Sequence, residues 1–151
     1  MHKGSGSEHA TAILLGSRAL LIRGPSGSGK SRLAWSLLDA AARGNIRFAR
    51  LVADDRVALS ALNGKLIAAA PKAIEGMIEL RGTGVSHVPF ERYAVVGLVA
   101  DLAASDAERV PSPTALRTTI LGVTMPRLPL AEAADPLPTV LKTWATLGFS
   151  A

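Results

Sequence analysis

The chain has 151 residues, 48% of them hydrophobic, and a formal net charge of +5, which suits one domain with a real core. It has no cysteine, which excludes disulfides and thiolate metal sites, and with aromatics at 4% that core must be Ala, Leu, Val and Ile. No apolar run approaches the roughly 18–20 residues of a membrane span, the polar start lacks a signal-peptide core, and the scattered arginines form no basic block with aromatic interleaving, so a cytoplasmic protein binding neither membrane nor nucleic acid is expected.

Residues 1–8 read as a flexible lead-in. Ala12 to Leu15, the pair Gly16-Ser17 and Ala19 to Arg23 read as two strands joined by a tight turn. Gly24-Pro25-Ser26-Gly27-Ser28-Gly29-Lys30-Ser31 fits G-x-x-x-x-G-K-[ST] at every fixed position. From Lys30 onward, Leu33, Ala34, Leu37, Leu38 and Ala41 share one helical face, and Gly44-Asn45 ends the helix. Leu51-Val52-Ala53 is a short strand running into Asp54-Asp55. Asn63-Gly64 between two apolar runs predicts a hairpin, because both turn residues tolerate positive φ. Met77 to Arg81 is a strand, followed by the glycine-punctuated segment Gly82 to Val85. Tyr93 to Leu102, the longest apolar stretch, reads as a central strand. Val110 to Pro113 is a loop, and Pro126, Pro129, Pro136 and Pro138 break up the segment after it. Val140 to Leu147 reads as a short C-terminal helix.

The glycine loop carries the first chemistry. Its glycines leave backbone N–H groups free to curl around an anion, and the following helix presents its positive end to the same point. Lys30 is placed to reach β- and γ-phosphates and the Ser31 hydroxyl to bind Mg²⁺. A nucleoside triphosphate or another polyphosphate, with Mg²⁺, is therefore the expected ligand. Asp54 and Asp55 follow Lys30 by about two dozen residues, at the end of a strand, where an acid reaches the metal or the nucleophile. If the strand continues, their side chains point opposite ways and only one faces the phosphate.

With Ile78-Glu79-Leu80-Arg81-Gly82-Thr83-Gly84 added, the glycine loop and Leu51-Val52-Ala53-Asp54-Asp55 together resemble the catalytic domain of HPr kinase/phosphorylase, over roughly His9 to Leu130. The resemblance implies an α/β fold over residues 1–151, a single P-loop domain with a mixed sheet similar to the phosphoenolpyruvate carboxykinase-like nucleotide core. It implies an ATP-dependent protein-serine kinase acting on HPr, the phosphocarrier of the sugar phosphotransferase system, and a homo-oligomer, a hexamer by family. By the same resemblance Asp55 is the general base, Lys30 the loop lysine, His9 the catalytic histidine and Arg109 a phosphate-contacting arginine. Ser31, Glu79 and Asp54 stand on the metal side.

Three departures stand out. The link between the loop helix and the Asp-Asp strand is longer, Val85-Ser86-His87-Val88 replaces an Ile-Ile-Asn-Val type, and Ala133 to Leu137 stands where the family's Pro-Gly-Arg-Asn-Leu segment serves phosphorolysis. The resemblance thus carries the forward reaction further than the reverse. Two rival readings are a small-molecule P-loop kinase and a non-catalytic nucleotide-sensing module.

Overall fold

The computed structural model describes residues 4–151. Nine strands form one mixed sheet in the order β1 (Ser5–Glu8), β5 (Val57–Leu62), β6 (Lys65–Ala69), β9 (Ala94–Asp101), β3 (Arg18–Arg23), β2 (Thr11–Leu15) and β4 (Ala49–Ala53), with β11 (Val123–Pro129) also on β9 and β10 (Arg117–Ile120) on β11. Among the described residues there are also a separate ribbon, β7 (Met77–Leu80) with β8 (Gly84–His87), two α-helices, α1 (Lys30–Ala42) and α2 (Pro136–Thr146), and two single 3₁₀ turns. The expected α/β class with a mixed sheet is what the chain adopts.

Period-2 alternation divides the central strands between two cores. Ile13, Leu15, Leu20, Ile22, Leu98 and Ala100 join one core with Leu33, Ala34 and Leu37 of α1 and Val140 and Trp144 of α2. Ala12, Ala19, Leu21, Val96 and Val99 join the other, with Val57, Leu59, Leu66 and Met125. Burial on both faces is why Ala19 to Ile22 and Val95 to Ala100 read as unbroken apolar runs. β3 and β9 run parallel in register from Leu20↔Leu98 to Arg23↔Asp101, so the chain leaves β3 for the glycine loop beside the end of β9.

Alternation is interrupted at two places: Gly97 is an extra residue of β9 between the pairs Ala19↔Val96 and Leu20↔Leu98, and the second interruption lies beside the aspartates. Ala12 pairs with Ala53 but Ile13 pairs with Leu51, so Val52 is an extra, bulged residue, and Val52 and Ala53 both enter the second core. A bulge re-aims the residues after it, here the two aspartates.

The structure corrects three expectations. The lead-in is not flexible throughout: its described part forms β1, in antiparallel register with β5 from Ser5↔Ser60 to Glu8↔Val57; residues 1–3 lie outside the described residues. The proline-broken segment contains the hairpin β10–β11. Its prolines sit where strands tolerate them: Pro126 is the last residue of β11 to pair with β10, and Pro129 ends the strand. Helix α2 begins at Pro136, with Asp135 accepting from Leu137 N–H, because proline fits a first helical turn whose N–H groups lack partners anyway. The strand read over Leu51 to Ala53 is β4, which starts at Ala49, ends at Ala53 and does not continue through the aspartates.

Candidate functional site

The glycine loop joins β3 to α1. Gly27 and Gly29 hold φ of 80° and 102°, values that favour glycine. Gly24 is required for a second reason: a Cβ there would stand 2.5 Å from Ser28 Oγ and 3.1 Å from the Leu102 carbonyl oxygen. Ser28 Oγ is itself buried and has no hydrogen-bond partner among the described residues, which is costly unless a ligand supplies one. Lys30 is folded back under the loop, its Nζ donating to the carbonyls of Gly24 at 2.8 Å and Pro25 at 3.2 Å.

Asp54 lies beneath the loop and is 4% exposed. Its Oδ1 accepts from Ser31 Oγ at 2.6 Å and Thr11 Oγ1 at 2.8 Å, and its Oδ2 from the Glu79 backbone N–H at 3.1 Å. Among the described residues no lysine, arginine or histidine lies within ion-pair distance of it. The neighbouring Asp55 turns outward. Its φ is 70° and Arg56 N–H donates to the Asp54 carbonyl at 2.8 Å, so Asp55 is the centre of a three-residue turn with positive φ, a strained conformation. The Asp55 carboxylate is exposed, 3.3 Å from Nε2 of an equally exposed His9.

His9, Ser28, Lys30, Ser31 and Asp55 line one cleft of about 510 Å³, together with Glu79, Arg81 and Thr83 from the β7–β8 ribbon and Arg32, Trp35 and Ser36 from α1. Arg81 leans over the loop, with Nη2 3.6 Å from where a Cβ on Gly27 would stand. A volume of that order suits a small molecule, and Lys30, Arg32 and Arg81 around donor-rich backbone suit an anion.

The structure therefore brings together Gly27, Ser28, Gly29, Lys30, Ser31, His9, Asp55 and Glu79 in the cleft lining, with Asp54 just beneath. It does not bring Arg109 there. Arg109 is exposed on the segment between β9 and β10 and does not line the cleft. That segment is drawn toward β11 instead, by Ala104 N–H on the Leu130 carbonyl and by Asp106 on Arg127 at 2.7 and 2.9 Å. The arginine that reaches the loop is Arg81. Sequence reasoning also passed over Thr11 and Trp35. Each left a signal: Thr11 is a hydroxyl inside a buried apolar strand, and Trp35 is a large aromatic off the apolar face of its helix.

Among the described residues no cluster of three His, Cys, Asp or Glu could cage a metal. The donors do fit Mg²⁺, which keeps waters and substrate phosphates and needs only one or two protein oxygens. A buried carboxylate without a cation, hydrogen-bonded to the Ser31 hydroxyl, is such a pair.

On the other shoulder of the loop, Asp101 at the end of β9 accepts from Arg23 Nε at 2.7 Å, Arg23 Nη2 at 2.8 Å and Arg127 Nε at 2.5 Å. Burial acts to raise the Asp101 carboxyl, but the hydrogen bonds from the two guanidinium groups outweigh it and hold the group below its ordinary value.

Residues 5–128 match the model of the HPr serine kinase C-terminal domain. The chain is similar to the HPr kinase/phosphorylase of Clostridium tetani, 46% identical over 70 residues, which is 46% of this chain and 21% of that protein. It is similar to that of Clostridium beijerinckii, 39% identical over 80 residues, 53% of this chain and 24% of that protein. The matches thus span about a fifth to a quarter of the curated relatives' length. Among solved structures, the HPr(Ser) kinase/phosphatase from Coxiella burnetii superposes with a TM-score of 0.72 at 26% identity, covering 93% of this chain and 94% of that one. No helix among the described residues is long and apolar enough to cross a membrane.

Proposed function

The chain belongs to the HPr serine kinase C-terminal domain family, and on that footing we propose that it transfers the γ-phosphoryl group of ATP to a serine of HPr. The observation that carries this reading is the pairing of an inner and an outer acid at one phosphate loop: Asp54 held to Ser31, and Asp55 in the open cleft beside His9.

The roles follow from position. The loop amides and Lys30 bind the phosphates, which requires Lys30 Nζ to exchange its bonds to Gly24 and Pro25 for phosphate oxygens. Ser31 Oγ donates its proton to Asp54, so its lone pairs are free for a cation on the cleft side. Mg²⁺ bound there would offset charge on the β- and γ-phosphates. Asp55 takes the proton from the acceptor serine as its oxygen bonds to the γ-phosphorus and ADP departs. His9, 3.3 Å away, orients that carboxylate. Arg81 above the loop supplies the charge that the family resemblance assigns to Arg109. The forward reaction is the better supported one, because Ala133 to Leu137 forms the turn and cap that open α2.

Radiolabelled ATP with cognate HPr tests the reading. Label is expected on an HPr serine, and Asp55→Asn is expected to lower the rate about 10²- to 10⁴-fold. Label on a small molecule and none on HPr would sink the acceptor assignment. Tight ATP binding with no transfer to anything would leave a nucleotide sensor.

A further inference from the structure

The two tryptophans of this chain are used in opposite ways. Trp144 is fully buried, its indole N–H donates to the Ser150 carbonyl at 3.1 Å and its ring packs on Phe149 at 4.9 Å between centroids. Trp35 is 39% exposed. Among the described residues it has no hydrogen-bond partner and no aromatic neighbour, yet it forms part of the cleft wall. The apolar face of α1 is already supplied by Leu33, Ala34 and Leu37, so core packing does not account for an indole at position 35.

Its place along α1 does account for it. The helix starts at Lys30, where the phosphates bind, and Arg32 and Trp35 fall one turn apart on the cleft side. A nucleotide anchored by its phosphates at the loop extends beyond them by a sugar and a flat aromatic base. The flat, half-exposed surface within reach is Trp35. The acceptor's place is set elsewhere, by Asp55 after β4 and His9 before β2.

We infer that the Trp35 indole stacks on the base of the nucleotide whose phosphates the glycine loop holds. This rests on the nucleotide reading of the cleft and adds the second half of the ligand to it. Stacking is blind to base-edge identity, so adenine and guanine nucleotides should be seated alike.

The test compares MgATP with inorganic tripolyphosphate plus Mg²⁺ as ligands of the wild type, Trp35→Ala and Trp35→Phe. Calorimetry gives affinities, and the wild type adds tryptophan fluorescence, with buried Trp144 a constant background. MgATP should quench the wild type and tripolyphosphate should not. Trp35→Ala should weaken MgATP at least about five-fold, the low end for loss of one stacked base, and leave tripolyphosphate unchanged. Trp35→Phe should recover most of the loss. Equal weakening of both ligands, or MgATP binding within two-fold of wild type, overturns the inference while the loop's role stands. A rise confined to the KM for HPr overturns it in favour of an acceptor contact. If the wild type binds neither ligand, the nucleotide reading falls and the stacking with it.

Discussion

Asp101 and Asp54 stand at the ends of β9 and β4, on either side of the glycine loop, and the protein treats the two carboxylates in opposite ways. Asp101 is matched by two guanidinium groups, Arg23 and Arg127. Asp54 is more deeply buried and is matched by two hydroxyls and one amide, all neutral. A buried charge costs several kcal/mol unless an opposite charge is near. At Asp101 that requirement is met within the chain, so the group belongs to the fold. At Asp54 it is not met, so the negative charge remains available to a cation from outside. Asp54 is thus marked out less by burial than by the kind of partner it has.

The largest expected effect would break this comparison if it failed. On the proposed function, Asp54→Asn should lower phosphoryl transfer by on the order of 10³-fold, since it removes the charge that would attract the metal. It should leave stability almost unaltered. The asparagine can turn its oxygen to the Glu79 N–H and its amide to Thr11 and Ser31, whose hydroxyls accept as well as donate. Transfer assays beside thermal unfolding check both halves. A large drop in Tm with activity retained per folded molecule would make Asp54 a structural acid.

Asp101→Asn should do the reverse. It removes one counter-charge from each of two partly buried arginines, leaving Arg127 with Asp106 and Arg23 with Glu8, at about 1 kcal/mol after allowance for solvent exposure, or a fall in Tm of about 2–4 °C. Transfer per folded molecule should stay within two-fold. The pH dependence has a definite sign. The folded-state value of Asp101 lies below its ordinary one, so its stabilisation is complete above the unfolded value near 3.9 and is lost as pH falls through the folded value. The gap in Tm between wild type and Asp101→Asn should therefore narrow on acidification below about pH 4. A gap that widens there would show that Asp101 is not the ionised partner.

The same contrast explains what the sequence revealed. The loop, Asp54 and Asp55 were legible because local spacing defines them: glycines before Lys30-Ser31, and an apolar run ending in acids. The Asn63-Gly64 hairpin was legible because the turn chemistry is written in two residues. The hairpin β10–β11 was not, because its turn is Leu121-Gly122, with Leu121 at φ 50°, and leucine carries no turn signal. Strand β1 was hidden because Ser5-Gly6-Ser7-Glu8 has no apolar alternation and pairs with residues some fifty positions later. Arg109 was misplaced because the path of its segment is decided by Asp106 on Arg127, a contact between elements that no local pattern contains. Thr11 and Arg81 reach the site in the same non-local way.

The smallest effect concerns two residues held at positive φ, one beside each carboxylate. Ala103, at φ 51°, follows Asp101 by two positions. It is pinned there by Leu102 N–H on the Arg23 carbonyl and Ala104 N–H on the Leu130 carbonyl. An L-residue in that region costs about 1–2 kcal/mol, whereas glycine escapes that cost and loses about 0.5–1 kcal/mol through a more flexible unfolded chain. Ala103→Gly should therefore gain about 0.5 kcal/mol, or roughly 1–2 °C in Tm, with transfer unchanged. Asp55, at φ 70°, has the same backbone reason to be glycine. Asp55→Gly should be no less stable than wild type, since among the described residues its exposed carboxylate pairs only with exposed His9, yet it should lose transfer as Asp55→Asn does. A matched gain in Tm at both positions, with activity lost at one alone, would mean that the strain at Asp55 persists because the cleft needs its carboxylate there. A fall in Tm for Asp55→Gly would instead make the His9 contact part of the fold and blur the line between the two sides of the loop.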